Sequence, residues 1–210
     1  ASGGTNFNGC IFRILPNGAG YSQLHAFSTG TVSGRGPYGS LVSDGTFLYG
    51  TTRFGGLNDK GIIFKIMPDG SNYLKLHDFD GAATGANPQD DLLYNGTSLF
   101  GTTSAGGTND LGTLFKIQPD GTQYTKLMDF DGTSTGTNPT NLYLSGGMMY
   151  GTTIFGGTIN NGTFFRINAD GTNHYKIFDF KGIVNGTGPA GSLYYDGTYL
   201  YGTTTYGGTS

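Results

Sequence analysis

The chain has 210 residues, 40 of them glycine, with no glutamate, no tryptophan and a formal net charge of −3. Only 11 residues are Lys or Arg, which excludes the basic stripe that nucleic-acid binding requires. No apolar run is long enough for a membrane-spanning helix. Glu and Lys favour helices, whereas the plentiful Thr, Tyr and Phe suit strands. No window places apolar residues at i, i+3, i+4 and i+7. These features predict an all-β fold.

In chain order, residues 9–14 and 21–27 read as two strands. A longer unit then begins at Pro37 and repeats. Its markers are Gly50-Thr51-Thr52, Gly55-Gly56, Phe64-Lys65-Ile66 and Pro68-Asp69-Gly70. They return at Gly101, Gly106-Gly107, Phe115-Lys116-Ile117 and Pro119-Asp120-Gly121, and again at Gly151, Gly156-Gly157, Phe165-Arg166-Ile167 and Ala169-Asp170-Gly171. A fourth Gly-Thr-Thr starts at Gly202, so the spacings are 51, 50 and 51 residues. A period near 50 built from short strand patterns marks a propeller or solenoid array.

Each repeat reads as four strands, A to D. In one of them, residues 88–95, 98–103, 112–118 and 124–130 are strand-like, separated by Asn95-Gly96-Thr97, a glycine-rich loop and Pro119-Asp120-Gly121. Four antiparallel strands in about 50 residues make one propeller blade. The sequence therefore predicts a β-propeller of four four-stranded blades: residues 37–79, 88–130, 139–180, and 189–210 completed by 1–27. Gly3-Gly4-Thr5 matches Gly207-Gly208-Thr209, so N-terminal strands C and D can pair with C-terminal strands A and B and remove exposed edges. A closed four-bladed monomer is the favoured expectation. Two chains sharing one eight-bladed ring is the alternative.

Along strand C, Phe12, Phe64, Phe115 and Phe165 share one position, with Ile14, Ile66, Ile117 and Ile167 two residues on. Period two puts both on one face, expected to be inter-blade core. Between them lie Arg13, Lys65, Lys116 and Arg166, whose stems would cover neighbours while their charges reach solvent or Asp78, Asp129 and Asp179. Cys10 is alone and reads as a small strand residue. His25 and His77 share a strand-D position held elsewhere by Met128 and Phe178, and read as packing.

The A–B and C–D turns share one end of each blade and are tight. The B–C and D–A loops share the other end, are longer, and form the expected binding face. Phe54, Phe155 and Tyr206 hold one loop position there. Exposed aromatics could stack on a glycan or seat a protein, or fold back over the blade edge. Asp80 and Asp131 open two D–A loops that end at Asn87 and Asn138. Their oxygens would suit calcium, but Asp-Gly is also ordinary turn chemistry; no other cofactor or metal is implied. Asp90 and Asp91 lie on one strand A only, and as neighbours they point to opposite faces. No Gly-x-Ser-x-Gly elbow, His-Glu-x-x-His motif or cysteine cluster is present. A glycosidase's usual carboxyl pair has no clear counterpart, so no catalytic residue is assigned and the reading leans away from an enzyme.

The block Leu-Tyr-Gly-Thr-Thr-x-x-Gly-Gly, followed by Gly-Thr-x-Phe-Lys-Ile-x-Pro-Asp-Gly, resembles the GloVer repeat of bacterial secreted or surface proteins, across essentially the whole chain. The resemblance implies a propeller-like array in an extracellular or cell-surface setting and transfers no activity. Together these readings predict a non-catalytic binding or scaffold propeller whose ligand is a glycan or protein on the B–C/D–A face. A structural unit that self-assembles through its half-blade ends is the second reading, and a polysaccharide-active enzyme the third.

Overall fold

The computed structural model describes residues 7–209, the side chain of Asn141 excepted. Gly3-Gly4-Thr5 and Ser210 lie outside the described residues. The chain begins with a hairpin of β1 (Cys10–Arg13) and β2 (Ser22–Ala26). The short β3 (Gly34–Arg35) pairs with β6 (Phe54–Gly55) at the loop end of the first blade. That blade consists of β4 (Val42–Ser43), β5 (Leu48–Thr52), β7 (Ile62–Ile66) and β8 (Leu74–Asp78), hydrogen-bonded in that order. The second holds β9 (Leu93–Tyr94), β10 (Leu99–Thr103), β11 (Thr113–Ile117) and β12 (Thr125–Asp129). The third holds β13 (Thr137–Ser145), β14 (Met148–Phe155), β15 (Thr163–Asn168) and β16 (Tyr175–Asp179). A last hairpin pairs β17 (Thr187–Tyr195) with β18 (Leu200–Tyr206). The ladders are antiparallel, and no helix occurs among the described residues.

The predicted A–B–C–D meander is thus present three times. Strand A is shorter than expected in the first two blades: of residues 88–95, only Leu93–Tyr94 joins the ladder. Proline is not the cause, since Pro139 at the same position lies within β13; the Asp91 carboxylate takes the Ser40 N–H of the preceding blade. Strands A of successive blades approach one another, β4 with β9, β9 with β13, and β13 with β17. They form the inner wall of the arc.

One aromatic layer recurs between blades. The last strand-D phenylalanine of each unit meets the strand-C phenylalanine of the next, edge to face. Phe27–Phe64, Phe79–Phe115 and Phe130–Phe165 have ring centroids 5.4, 5.3 and 5.6 Å apart. Tyr73 and Tyr124 stack on Phe64 and Phe115, and His25 and His77 lie flat against those tyrosines at 3.7 and 3.9 Å. The histidines are packing residues, as expected. Burial pushes His77 down to about 4, against a smaller opposing pull from Asp78 and Asp80. Ile66, Ile117 and Ile167 are fully buried beside the phenylalanines.

Two expectations need correction. Asp78, Asp129 and Asp179 pair with Lys75, Lys126 and Lys176 on their own strand, at 2.6, 2.9 and 2.9 Å, not with the strand-C cations. Three residues along the same strand is simply nearer. The strand-C cations reach forward instead: Arg13 donates to the Pro68 carbonyl and Lys65 to the Pro119 carbonyl, each in the C–D turn of the next blade. Second, among the described residues no ladder joins β1 or β2 to β17 or β18, so they show no closed sheet for the expected fourth blade. Phe12 is accordingly 55% exposed and Ile14 47%, where their counterparts are buried.

Phe79 is fully buried in this layer. Phe79→Ala is expected to lower the unfolding free energy by about 3–5 kcal/mol in urea denaturation. A loss below about 1 kcal/mol would show that the layer does not hold the blades together.

Candidate functional site

The loop end of the blades carries the sequence's candidate residues, and the structure separates them. Phe54, Phe155 and Tyr206 each stay on their own blade, and no ring contact joins them among the described residues. Phe155 and Tyr206 are exposed, whereas Phe54 is half-buried. The difference comes from two arginines present only in the first blade. Arg35 lies 4.9 Å from the Phe54 ring and Arg53 5.1 Å from it, and Arg53 is also 5.8 Å from the Tyr38 ring. Guanidinium groups over aromatic faces are attracted by the ring quadrupole. Arg35 Nη2 also donates to both carboxylate oxygens of Asp59, at 2.9 and 2.7 Å. Arg53 is in no ion pair among the described residues, and its buried Nε lacks a hydrogen-bond partner.

Arg35, Tyr38 and Arg53 were missed in the sequence. The available signal was departure from the repeat: the other units have Ala86, Thr137 and Thr187 for Arg35, and Ser104, Ile154 and Thr205 for Arg53. A residue that breaks the repeat is not explained by the repeating scaffold.

Asp80 and Asp131 are occupied within their own loops. Asp80 accepts from the Ala83 and Thr84 N–H groups and the Thr84 hydroxyl. Asp131 accepts from the corresponding groups of Ser134 and Thr135. Burial pulls both carboxyls upward, but these hydrogen bonds outweigh it and hold them below the ordinary carboxylate value. Among the described residues, no three His, Cys, Asp or Glu side chains are grouped to hold a metal. Asn87 and Asn138 have left-handed backbones, φ 56° and 54°, at the position filled by Gly36 and Gly188 in the other units. Asparagine tolerates that conformation. The Asn87 N–H donates to the Lys60 carbonyl and that of Asn138 to the Leu111 carbonyl, so the visible work of both is to bend the chain into strand A.

The inner wall carries a second irregularity. Asp90 accepts a hydrogen bond from Thr102 at 3.3 Å. Burial pushes its carboxyl up to about 6, with Asp91 adding to the rise and Thr102 opposing it. The backbone of Asp90 lies against Gly39 of the preceding blade, where an added Cβ would come within 2.5 Å of the Asp90 carbonyl oxygen. Asp90 and Asp91 thus tie two blades together, and their carboxyls are not aimed at a common point.

These repeats can now be placed. The Gloeobacter/Verrucomicrobia repeat matches residues 1–210. The chain belongs to that repeat family. No curated protein matches it in sequence. Among solved structures it is similar to an oligogalacturonate lyase in complex with manganese, with a TM-score of 0.58 and 12% identity over 94% of this chain and 54% of that one. It is also similar to TolB from Acinetobacter baumannii, with a TM-score of 0.55 and 12% identity over 92% of this chain and 45% of that one. A chain of the nidogen/laminin complex matches with a TM-score of 0.57 and 19% identity, over 84% of this chain and 57% of that one. At these identities the likeness shows a propeller-like β fold alone. The repeat-family chain spans about half the length of these structures.

Asp90 gives a pH-dependent expectation. Its folded value near 6 lies above the ordinary 3.8, so the unfolded chain loses this proton first. Stability therefore falls as pH rises from 3.8 to about 6 and stays lower above that. Asp90→Asn should stabilise the protein at pH 8 by about 2 kcal/mol, with the gain vanishing below pH 4. Thermal unfolding at both pH values checks this, and an equal gain at both would contradict it.

Proposed function

We propose that the chain is a non-catalytic binding propeller of the bacterial cell exterior, and that its ligand is an acidic glycan held on the B–C/D–A face of the first blade. The observation that carries this reading is Arg53, a cation in no ion pair among the described residues that lies near the rings of both Phe54 and Tyr38. Aromatic faces stack on the apolar faces of sugar rings, and a guanidinium recognises a carboxylate or sulfate in a planar, two-pronged way. Arg35, fixed by Asp59 and also lying over Phe54, holds that ring in place. Phe155 and Tyr206, exposed at the same loop position of other blades, offer further stacking surfaces along a chain-like ligand. The extracellular setting is carried by the repeat family, and the non-catalytic reading by the scattered placement of the carboxyls.

Calorimetric titration with uronate oligosaccharides and with neutral glucans tests the reading. The acidic sugars are expected to bind and the neutral ones to bind much more weakly. Arg53→Gln and Phe54→Ala should each weaken binding about tenfold, or about 1.4 kcal/mol, with unfolding midpoints close to that of the parent. Equal binding by parent and variants, or no binding of acidic sugars, would refute it.

A further inference from the structure

The loop that leads into the first blade breaks the repeat a second time, beside the Arg53 site. Residues 28–36 form a D–A loop one residue longer than its counterparts 80–87, 131–138 and 181–188. The three shorter loops are clasped. Gly81 and Gly182 exchange backbone hydrogen bonds with Gly85 and Gly186, and the Gly132 N–H donates to the Gly136 carbonyl. Each is also pinned to the next B–C loop, where the N–H groups of Gly107, Gly157 and Gly208 donate to the Gly81, Gly132 and Gly182 carbonyls. Among the described residues the 28–36 loop has no such clasp, and the Gly56 N–H reaches the Ser33 carbonyl at 3.5 Å. A cavity of about 580 Å³ opens between this loop and the B–C loop, lined by Thr29, Thr31, Arg35, Leu57, Asn58 and Asp59 together with glycine backbone. Small-molecule sites span roughly 300–1,000 Å³.

Leu57 is a further departure from the repeat. Thr108 and Thr158 hold its position in the next two blades, and their hydroxyls donate to Asp129 and Asp179. Leu57 has no hydroxyl; only its N–H reaches Asp78, and the residue is 68% exposed at the cavity. The repeating scaffold does not explain this leucine. The lining thus combines an apolar side chain, two threonine hydroxyls, and the Arg35–Asp59 ion pair. The two charges offset each other, while the pair still offers donors and acceptors to hydroxyl groups. Arg35 is the wall shared with the Arg53 site: it lines the cavity and lies over Phe54, the ring that Arg53 also approaches.

We propose that this cavity is a second subsite, for a neutral sugar, and that the ligand is a glycan in which a uronic acid is linked to a neutral sugar. The inference rests on the acidic-glycan reading above and narrows it. The uronate carboxylate pairs with Arg53. The adjoining neutral sugar lays its C–H face on Leu57 and turns its hydroxyls to Thr29, Thr31 and Asp59. A chain made of uronates alone is disfavoured, because its next carboxylate would meet Asp59, and like charges repel.

Calorimetric titration can compare oligosaccharides of hyaluronan and glucuronoxylan, in which a uronate adjoins a neutral sugar, with oligogalacturonate of the same length. The mixed glycans should bind at least about tenfold more tightly. Leu57→Thr restores the residue of the other blades, and Thr31→Val removes a hydroxyl at nearly constant volume. Each should weaken the mixed glycans about fivefold and leave oligogalacturonate binding and the unfolding midpoint unchanged, whereas Arg53→Gln should weaken both classes of ligand. Equal or tighter binding of oligogalacturonate, or variants that bind the mixed glycans as the parent does, would overturn the second subsite and leave the acidic-glycan reading standing. Binding of neither class by the parent would refute both.

Discussion

The structure depends on one close contact, the strand-C phenylalanine lying over the strand-B glycine. The ring tip occupies the place that a Cβ would need, so Gly50, Gly101 and Gly151 cannot carry a side chain without moving Phe64, Phe115 or Phe165. The same ring receives the strand-D phenylalanine of the preceding unit edge to face. One residue thus closes its own blade and joins it to its neighbour. That dual demand explains why Gly-Thr-Thr and Phe-Lys-Ile repeat together while much of the surface drifts.

Around this layer the polar groups repeat as fittings. Asp129 accepts from the Thr108 N–H and hydroxyl and from Lys126, and Asp179 does the same with Thr158 and Lys176. Each ties the B–C loop to strand D. In the first hairpin the matching residues are Gln23 and Ala26, so both members of the ion pair are replaced together, and neither is left as a partly buried charge without its counterpart. Function is better sought where the repeat is broken without such compensation. The first blade's Arg35, Tyr38 and Arg53 and the second blade's Asp90 are the clearest cases.

Much of the fold was legible because period and alternation are local. The blade order, the D–A and B–C loop ends, and the burial of Phe64, Phe115, Phe165 and their isoleucines all follow from counting residues. The extent of strand A was less legible, because Asp91 binds the Ser40 N–H of the neighbouring blade, a tertiary effect. Ring closure was not legible, because the number of repeats does not fix whether β1–β2 and β17–β18 share one ladder, and among the described residues they do not. At the loop face the aromatics Phe54, Phe155 and Tyr206 were visible by their shared position. The cations around Phe54 were not, since Arg35 and Arg53 are 18 residues apart in sequence and meet only when β3 pairs with β6. Asp80, Asp131, Asn87 and Asn138 looked like ligand groups because the residue types that cap tight loops are the same types that hold ions and sugars.

The contact between Phe115 and Gly101 can be measured directly by a double-mutant cycle in equilibrium denaturation. Gly101 does not have a left-handed backbone, so Gly101→Ala introduces a steric conflict and little else. It should destabilise the protein by about 1–3 kcal/mol. In the background of Phe115→Leu, which withdraws the ring tip, the same substitution should cost at least about 1 kcal/mol less. Additive effects of the two substitutions would contradict the account, because they would mean that the ring and the glycine do not constrain each other.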